Sequence, residues 1–475
     1  MDLAKLVDSN REAMVKTLQE AVRIKSVQEP AVPGKPFGEG PARCLAYMLE
    51  EAEKMGFRTQ NVDNYMGWCE YGEGPEMVAV LGHLDVVPEG DGWTRDPYSG
   101  EADGENVYGR GTMDDKGPTT AALYALKALK DSGVPLKRRI RILFGTNEET
   151  GSQDMKHYLE KGGEIPVCGF TPDGEYPVIN GEKGIINVTF EREYTQEGGL
   201  VLKEIKGGSA FNVVPALASA TLLCAPAEAT RILEQYGEKD PKVRWEVIPE
   251  GLKVTAEGVQ AHAASPEKGE NAIGRLLAAL GDLPFAADLH QALAFLGQKI
   301  GTEVHGESLG ICLEDPDSGK LSFNMGVIAG DEGKLTLKIN YRYPVTKSYE
   351  DCAPRLDAQF GEAGFRKVSE AHKKALYVDP KTDYIQTLLQ VYGELTEFEP
   401  KTICIGGGTY AKSIPNIVAF GPIFPGDAVR EHLPNEYWEI DKLVLNAKIY
   451  AEALYRLAKK KRLSTVSGRW KPAWL

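Results

Sequence analysis

Short apolar runs alternate with amphipathic stretches through the first third of the chain. Residues 42–55 carry apolar side chains at helical spacing, and Gly56 stands where a helix would stop. Residues 77–81, MVAVL, form a continuous apolar run that predicts a buried strand. A polar loop, EGDGWTRDPYSG, follows it. Residues 119–129 predict a helix ending before Asp131-Ser132-Gly133. In residues 139–144, RIRILF, Ile140, Ile142 and Phe144 share one face of a predicted strand. Strand, helix and strand in this order predict an α/β sheet with helical cover.

The pattern changes after Gly184. Residues 185–190, 245–249 and 252–256 read as strands, and residues 227–236 and 271–280 as helices. In LTLKINYRYPV, Leu335, Leu337, Ile339, Tyr341 and Tyr343 alternate with Thr336, Lys338, Asn340 and Arg342. This predicts a half-buried antiparallel strand with Arg342 on its polar side. The expectation is an α+β domain built on an open-faced sheet. From about Asp383 the helix and short-strand pattern returns. Residues 402–405 lead into Gly406-Gly407-Gly408, residues 417–420 lead into Gly421-Pro422, and residues 441–457 form a strong helix. The fold class is therefore α/β, with two domains. A mixed-sheet domain, residues 1–185 and 383–475, is interrupted by an inserted α+β domain, residues 186–382.

Composition narrows the classes of function. The chain of 475 residues has 55 basic and 69 acidic side chains, a net charge of −14. That balance argues against nucleic acid and anionic membranes as partners. The basic end KKKRLSTVSGRWKPAWL reads as a solvated terminus. The N-terminal segment is amphipathic and charged, without the apolar core of a secretory signal, and no apolar run is long enough to cross a bilayer. Seven scattered cysteines without C-x-x-C spacing fit reduced thiols, so the expected location is cytoplasmic.

Polar residues at the ends of the predicted strands carry the candidate chemistry. In VLGHLDVVP, His83 and Asp85 share one face if the chain is extended, as two metal ligands would. They read equally as a polar loop edge or a hydrogen-bonded pair. Glu148 and Glu149 follow the strand at 139–144, where ligands collect in α/β sheets. One could hold a metal while its neighbour moves a proton; a solvated acidic turn is the alternative. Asp114 and Asp115 precede a helix, where aspartate also serves as a cap. Asp173 lies in a Pro-Asp-Gly sequence that reads as a turn, and His432 in FPGDAVREHLPNEY. Together, His83, Asp114, Glu149, Asp173 and His432 are two imidazoles and three carboxylates. With Asp114 shared, such a set could hold two divalent ions, zinc first, manganese or cobalt also.

The stretches GHLDVVPEGDGW, YGRGTMDDKGP, FGTNEETGS, FTPDGEYPVINGEKG, AHAASPEKGENA, NYRYPV, GGGTYAKSIPN and FPGDAVREHLPNEY resemble the M20 metallopeptidase family, in its bacterial dipeptidase V branch. They span nearly the whole chain in the family's order. The resemblance implies hydrolysis of the peptide bond in dipeptides. It pairs His83 with Asp173 on one metal and Glu149 with His432 on the other, with Asp114 as the bridge. It implies a cis peptide between Asp114 and Asp115. Asp85 becomes a residue bonded to His83 and not to metal. Glu148 becomes the general base that activates a bridging water. In the inserted domain, which the resemblance makes a lid, His262 would donate to the developing oxyanion. Asn212 and Arg342 would bind substrate, together with the loop Gly407, Gly408 and Thr409. The long insertion implies a monomer. Arg430 and Glu431, immediately before His432, have no role in this reading. Two rival readings use the same residues: an N-acyl amino acid deacylase or deacetylase of the same family, and a non-catalytic metal-binding protein.

Overall fold

The computed structural model describes residues 2–198, 200–237 and 239–460. Most of the basic terminal segment, from residue 461 on, lies outside the described residues. The chain divides into two compact units: Met1–Asn180, Val378–Ile403 and Gly408–Leu475 in the first, Gly181–Tyr377 and Cys404–Gly407 in the second. The chain thus passes to the second unit after Asn180 and returns at Val378, and Gly406 and Gly407 group with the second unit.

The first unit is built on a mixed sheet. Its strands run in the order Arg58–Val62, Met66–Tyr71, Arg139–Gly145, Met77–His83, Cys168–Thr171 and Ile417–Ala419. The first two are antiparallel additions, and the remaining four are mutually parallel. Met77–His83 has parallel neighbours on both sides and is buried at every position, which explains its unbroken apolar run. The helix Lys116–Ser132 packs against Ile440–Lys459. It stops at Gly133, whose φ of 64° is the left-handed conformation that glycine adopts without a Cβ penalty. Ile140, Ile142 and Phe144 are buried on one face of Arg139–Gly145, as the alternation predicts, and on the opposite face Arg141 is buried as well. That side chain is buried beside Glu70, 2.7 Å away, and stacks 4.2 Å from the Trp68 ring.

The second unit holds an eight-stranded antiparallel sheet, in the order Val243–Ile248, Gly251–Glu257, Leu217–Leu223, Val201–Gly207, Ser322–Gly330, Lys334–Tyr343, Gly184–Glu193 and Arg366–Lys373. Ile186, Val188, Phe190, Leu337, Ile339 and Tyr341 are buried in one core with residues of the helices Ala272–Leu280, Ala287–Lys299 and Ala353–Glu362. Phe190 stacks on Phe360 with 4.2 Å between ring centroids. The opposite, polar face is not solvated along its whole length. Asn340 and Arg342 are only 1% and 4% exposed, because they form the floor of a cavity walled by residues 209–212.

Candidate metal centre

The parallel strands of the first unit bring the candidate ligands to one edge. His83 is the last residue of Met77–His83, Glu148 and Glu149 follow Arg139–Gly145, and Asp173 follows Cys168–Thr171. All lie beyond carboxyl ends of adjacent parallel strands. The close fit begins one residue earlier: a Cβ on Gly82 would stand 2.0 Å from the Thr119 hydroxyl.

Asp114 occupies the centre. His83 Nε2 lies 3.0 Å from its Oδ1, and His432 Nε2 lies 3.0 Å from its Oδ2. Each carboxylate oxygen therefore faces a different imidazole, the arrangement a bridging ligand needs. His432 also approaches Glu149 Oε1 at 3.2 Å. Ligand atoms of His83, Asp114 and Glu149 fall within 4.8 Å of one another, as do those of His83, Glu148 and Asp173. The Asp114–Asp115 peptide is cis.

A surrounding layer of carboxylates fixes this set. The His83 Nδ1 is 3.0 Å from the Asp85 carbonyl and 3.6 Å from its Oδ1. A proton on Nδ1 would donate there and leave Nε2 with a free lone pair. The Asp85 carboxylate itself accepts from the backbone N–H groups of Glu148 and Glu149, each at 3.1 Å. Asp85 thus holds a ligand and the two glutamates together. The Asp115 carboxylate accepts the backbone N–H of His83 at 3.0 Å. Glu436, fully buried, accepts from the backbone of Gly111 and Met113 at 3.0 and 2.9 Å and pairs with Arg110 at 2.7 Å. Asp154 accepts from Thr146 N and the Tyr410 hydroxyl at 2.7 and 2.6 Å, while Tyr410 N donates to Asp173 at 3.2 Å.

Sequence reasoning missed Glu436, Asp154 and Tyr410. Their partners lie far away in sequence or are backbone groups, so no local spacing announces them. Glu436 stands within FPGDAVREHLPNEY, and that proximity to His432 was the one available signal.

The electrostatics of the cluster point to cations. Burial, with the negative charges of Asp173 and Glu149 against the relief from His83, pushes the Glu148 carboxyl well above its ordinary range. Burial and then Asp114 raise Asp173 to about 7. Burial followed by Asp114 and Asp173 raises Glu431 to about 8. Hydrogen bonds to Asp114 and Glu149 raise His432 to about 11. Burial opposes ionisation of Asp114, but the two histidines outweigh it and hold that carboxyl below its usual value. No lysine or arginine pairs with Asp114, Glu148, Glu149 or Asp173 among the described residues. Packed carboxylates and imidazoles without basic side chains are a donor set that divalent ions fit.

The other predicted residues divide between the units. Asn212, His262, Arg342 and Gly407 belong to the second, Gly408 and Thr409 to the first. His262 pairs with Val213 across a short antiparallel ladder, and Ala263 N donates to the Asn212 carbonyl at 2.9 Å. Asn324, buried, donates to the carbonyls of Phe211 and Val213 at 2.9 Å each and so fixes the turn that carries Asn212. His262 Nδ1 accepts from Ala264 N at 3.2 Å, which places the proton of the neutral ring on Nε2. Burial and then the Arg342 charge lower its pKa and favour that neutral form. Arg342 donates to Asn340 Oδ1 at 3.0 Å and the Gly406 carbonyl at 2.7 Å. It is buried with no carboxylate partner among the described residues, and burial lowers it to about 10. The Thr409 hydroxyl caps the turn that follows, accepting from Ala411 N at 3.2 Å.

The model of peptidase family M20/M25/M40 matches residues 79–456. The chain is 34% identical to the beta-Ala-Xaa dipeptidase of Lactobacillus delbrueckii subsp. lactis, covering 98% of this chain and 100% of that protein. It is 38% identical to YtjP of Bacillus subtilis (strain 168), covering 94% and 98% respectively. Among solved structures, the aminoacylhistidine dipeptidase from Vibrio alginolyticus is similar in fold, with a TM-score of 0.58, 16% identity, and 94% and 97% of the two chains covered.

Proposed function

Because this chain belongs to peptidase family M20/M25/M40, we infer that it is a metal-dependent hydrolase that cleaves the peptide bond of dipeptides. The observation that carries this reading is the Asp114 carboxylate between two histidines, with Glu148 close to His83 and Asp173. In the proposed ligand set, His83 and Asp173 would hold one ion and Glu149 and His432 the other, with Asp114 shared between them. Zinc suits these donors first, with manganese or cobalt as alternatives. When bound, the ions supply Lewis acidity and make a water easier to deprotonate.

Glu148 is the proton carrier in this account. Its raised pKa suits a group that takes a proton from the attacking water and later delivers it to the departing amine. Asp85 holds Glu148 and Glu149 by their backbones, so one can stay a ligand while the other moves a proton. His262, neutral with its proton on Nε2, is the proposed donor to the oxyanion. Asn212 and the Gly407–Gly408–Thr409 loop are proposed to bind substrate, and Arg342 to take the terminal carboxylate in bidentate fashion. Recognition of both ends of one substrate would favour dipeptides. No disulfide joins the cysteines, and no helix is long and apolar enough to cross a membrane, among the described residues. Both support a cytoplasmic location. We propose that the protein acts as a monomer.

The direct test is hydrolysis of a dipeptide panel by purified protein, with metal content measured on the same sample and N-acetyl amino acids included. Metal-dependent release of amino acids from dipeptides is expected. Preference for the acetylated compounds would replace this reading with a deacylase. A fully metallated protein inactive on the whole panel would leave a binding role.

A further inference from the structure

The polar face of the sheet in the second unit carries an unusual density of uncompensated positive charge. In the register of three neighbouring strands, Arg342 stands opposite Ile185, and Ile185 opposite Lys373. One row further, Asn340 stands opposite Asn187, and Asn187 opposite Ala371. Directly opposed residues share a face, so both rows lie on the same side. They line a cavity of about 540 Å³. Two strand spacings, about 10 Å in all, separate the Arg342 and Lys373 backbones, a span that two long side chains can close.

The surroundings of these cations set the ligand. Among the described residues, no aspartate or glutamate lines the cavity. Arg342 is buried, whereas Lys373 is exposed on the edge strand, and neither ion-pairs with a carboxylate among the described residues. Lys338, two residues before Asn340 and hence on the same face, has its ammonium 5.7 Å from the ring of Phe211, a wall residue. Asn340 Oδ1 accepts from Arg342 at 3.0 Å, and Asn340 Nδ2 donates to Asn187 Oδ1 at 2.6 Å. The Asn187 amide N–H groups therefore remain donors for a ligand. In a chain of net charge −14, positive charges gathered without counter-ions call for an anion brought from outside. One carboxylate satisfies Arg342 and leaves Lys373 without a partner.

We propose that this cavity makes the protein selective for substrates whose C-terminal residue has an acidic side chain, with Arg342 on the terminal carboxylate and Lys373 on the side-chain carboxylate. The inference rests on the proposed dipeptide hydrolysis and names its substrate class. A basic C-terminal side chain would meet like charge there, and an apolar one would bury the asparagine amides unsatisfied.

The test compares kcat/KM for Ala-Asp and its neutral isostere Ala-Asn. The expected ratio in favour of Ala-Asp is about two- to fivefold, the upper range of a single exposed charge pair. Lys373→Gln should bring that ratio close to one, and Lys373→Arg should restore it. A wild-type ratio of one, or a ratio that survives Lys373→Gln, overturns the inference. If neither dipeptide is cleaved, the hydrolase reading fails separately. The cavity is then tested by calorimetry with L-aspartate and L-asparagine. Preference for aspartate that disappears in Lys373→Gln sustains the inference, and equal binding overturns it.

Discussion

At the scale of single residues, the informative groups are those whose charge lacks an ordinary partner. Arg342 is the clearest case, a buried guanidinium satisfied among the described residues by an amide and a carbonyl oxygen. If it holds the substrate carboxylate, Arg342→Met should raise KM by about a hundredfold, the worth of a charge-assisted bidentate contact. The same variant should hardly change the turnover of a dipeptide amide, which lacks that carboxylate; steady-state kinetics on the matched pair checks both. The sequence placed Arg342 on the polar side of its strand, and the structure agrees. Its burial was not legible, because the cavity floor is completed by Asn187 and residues 209–212, far away in the chain. The closeness of His83 and Asp85 has a similar explanation. Their spacing does bring them together, but the Asp85 carboxylate spends itself on the backbone of Glu148 and Glu149.

At the scale of elements, the legible parts were those with strong periodicity and conventional ends. Residues 77–81 and 119–129 fall inside Met77–His83 and Lys116–Ser132, and residues 441–457 inside Ile440–Lys459. Arg366–Lys373 gave no such signal, since an edge strand exposed at most positions has no apolar face to show. The loop carrying Asp114 was equally silent about its anchor. Glu436 clasps that loop through backbone N–H groups and balances the buried Arg110. Glu436→Gln keeps the volume but leaves the arginine charge unpaired, a change that costs about 3–5 kcal/mol in buried pairs. Urea unfolding should show that loss, and titration of metal into the variant should show weaker binding than in the parent. Unchanged stability would mean that water reaches Arg110 and that the loop is held by other contacts.

At the scale of the whole molecule, the metal cluster ties stability to pH. Asp173 and Glu431 have raised pKa values, about 7 and about 8. Between about pH 4 and those values the folded chain holds protons that the unfolded chain has released. The folded state therefore loses stability as pH rises through that window. His432, raised to about 11, acts in the same direction above its unfolded value near 6.5. Bound cations replace these protons, so added zinc should raise Tm more at pH 8 than at pH 6, and a chelator should reverse the gain. Scanning calorimetry at the two pH values measures this, and an equal gain at both would contradict the charge distribution described for the cluster. The pattern changes after Gly184 and returns at about Asp383, whereas the chain passes to the second unit after Asn180 and returns at Val378. The crossings themselves depend on which strand each short segment joins, and local pattern does not contain that information.

The proposed hydrolysis requires Glu148 to move the proton without holding the metals. The measurement that tests this most directly is kcat for a cleaved dipeptide in Glu148→Gln, with bound metal quantified in the same preparation. Removal of a general base predicts a fall of about 10²–10⁴-fold at unchanged metal content. Activity close to that of the parent, or loss of activity together with loss of metal, would contradict the assignment.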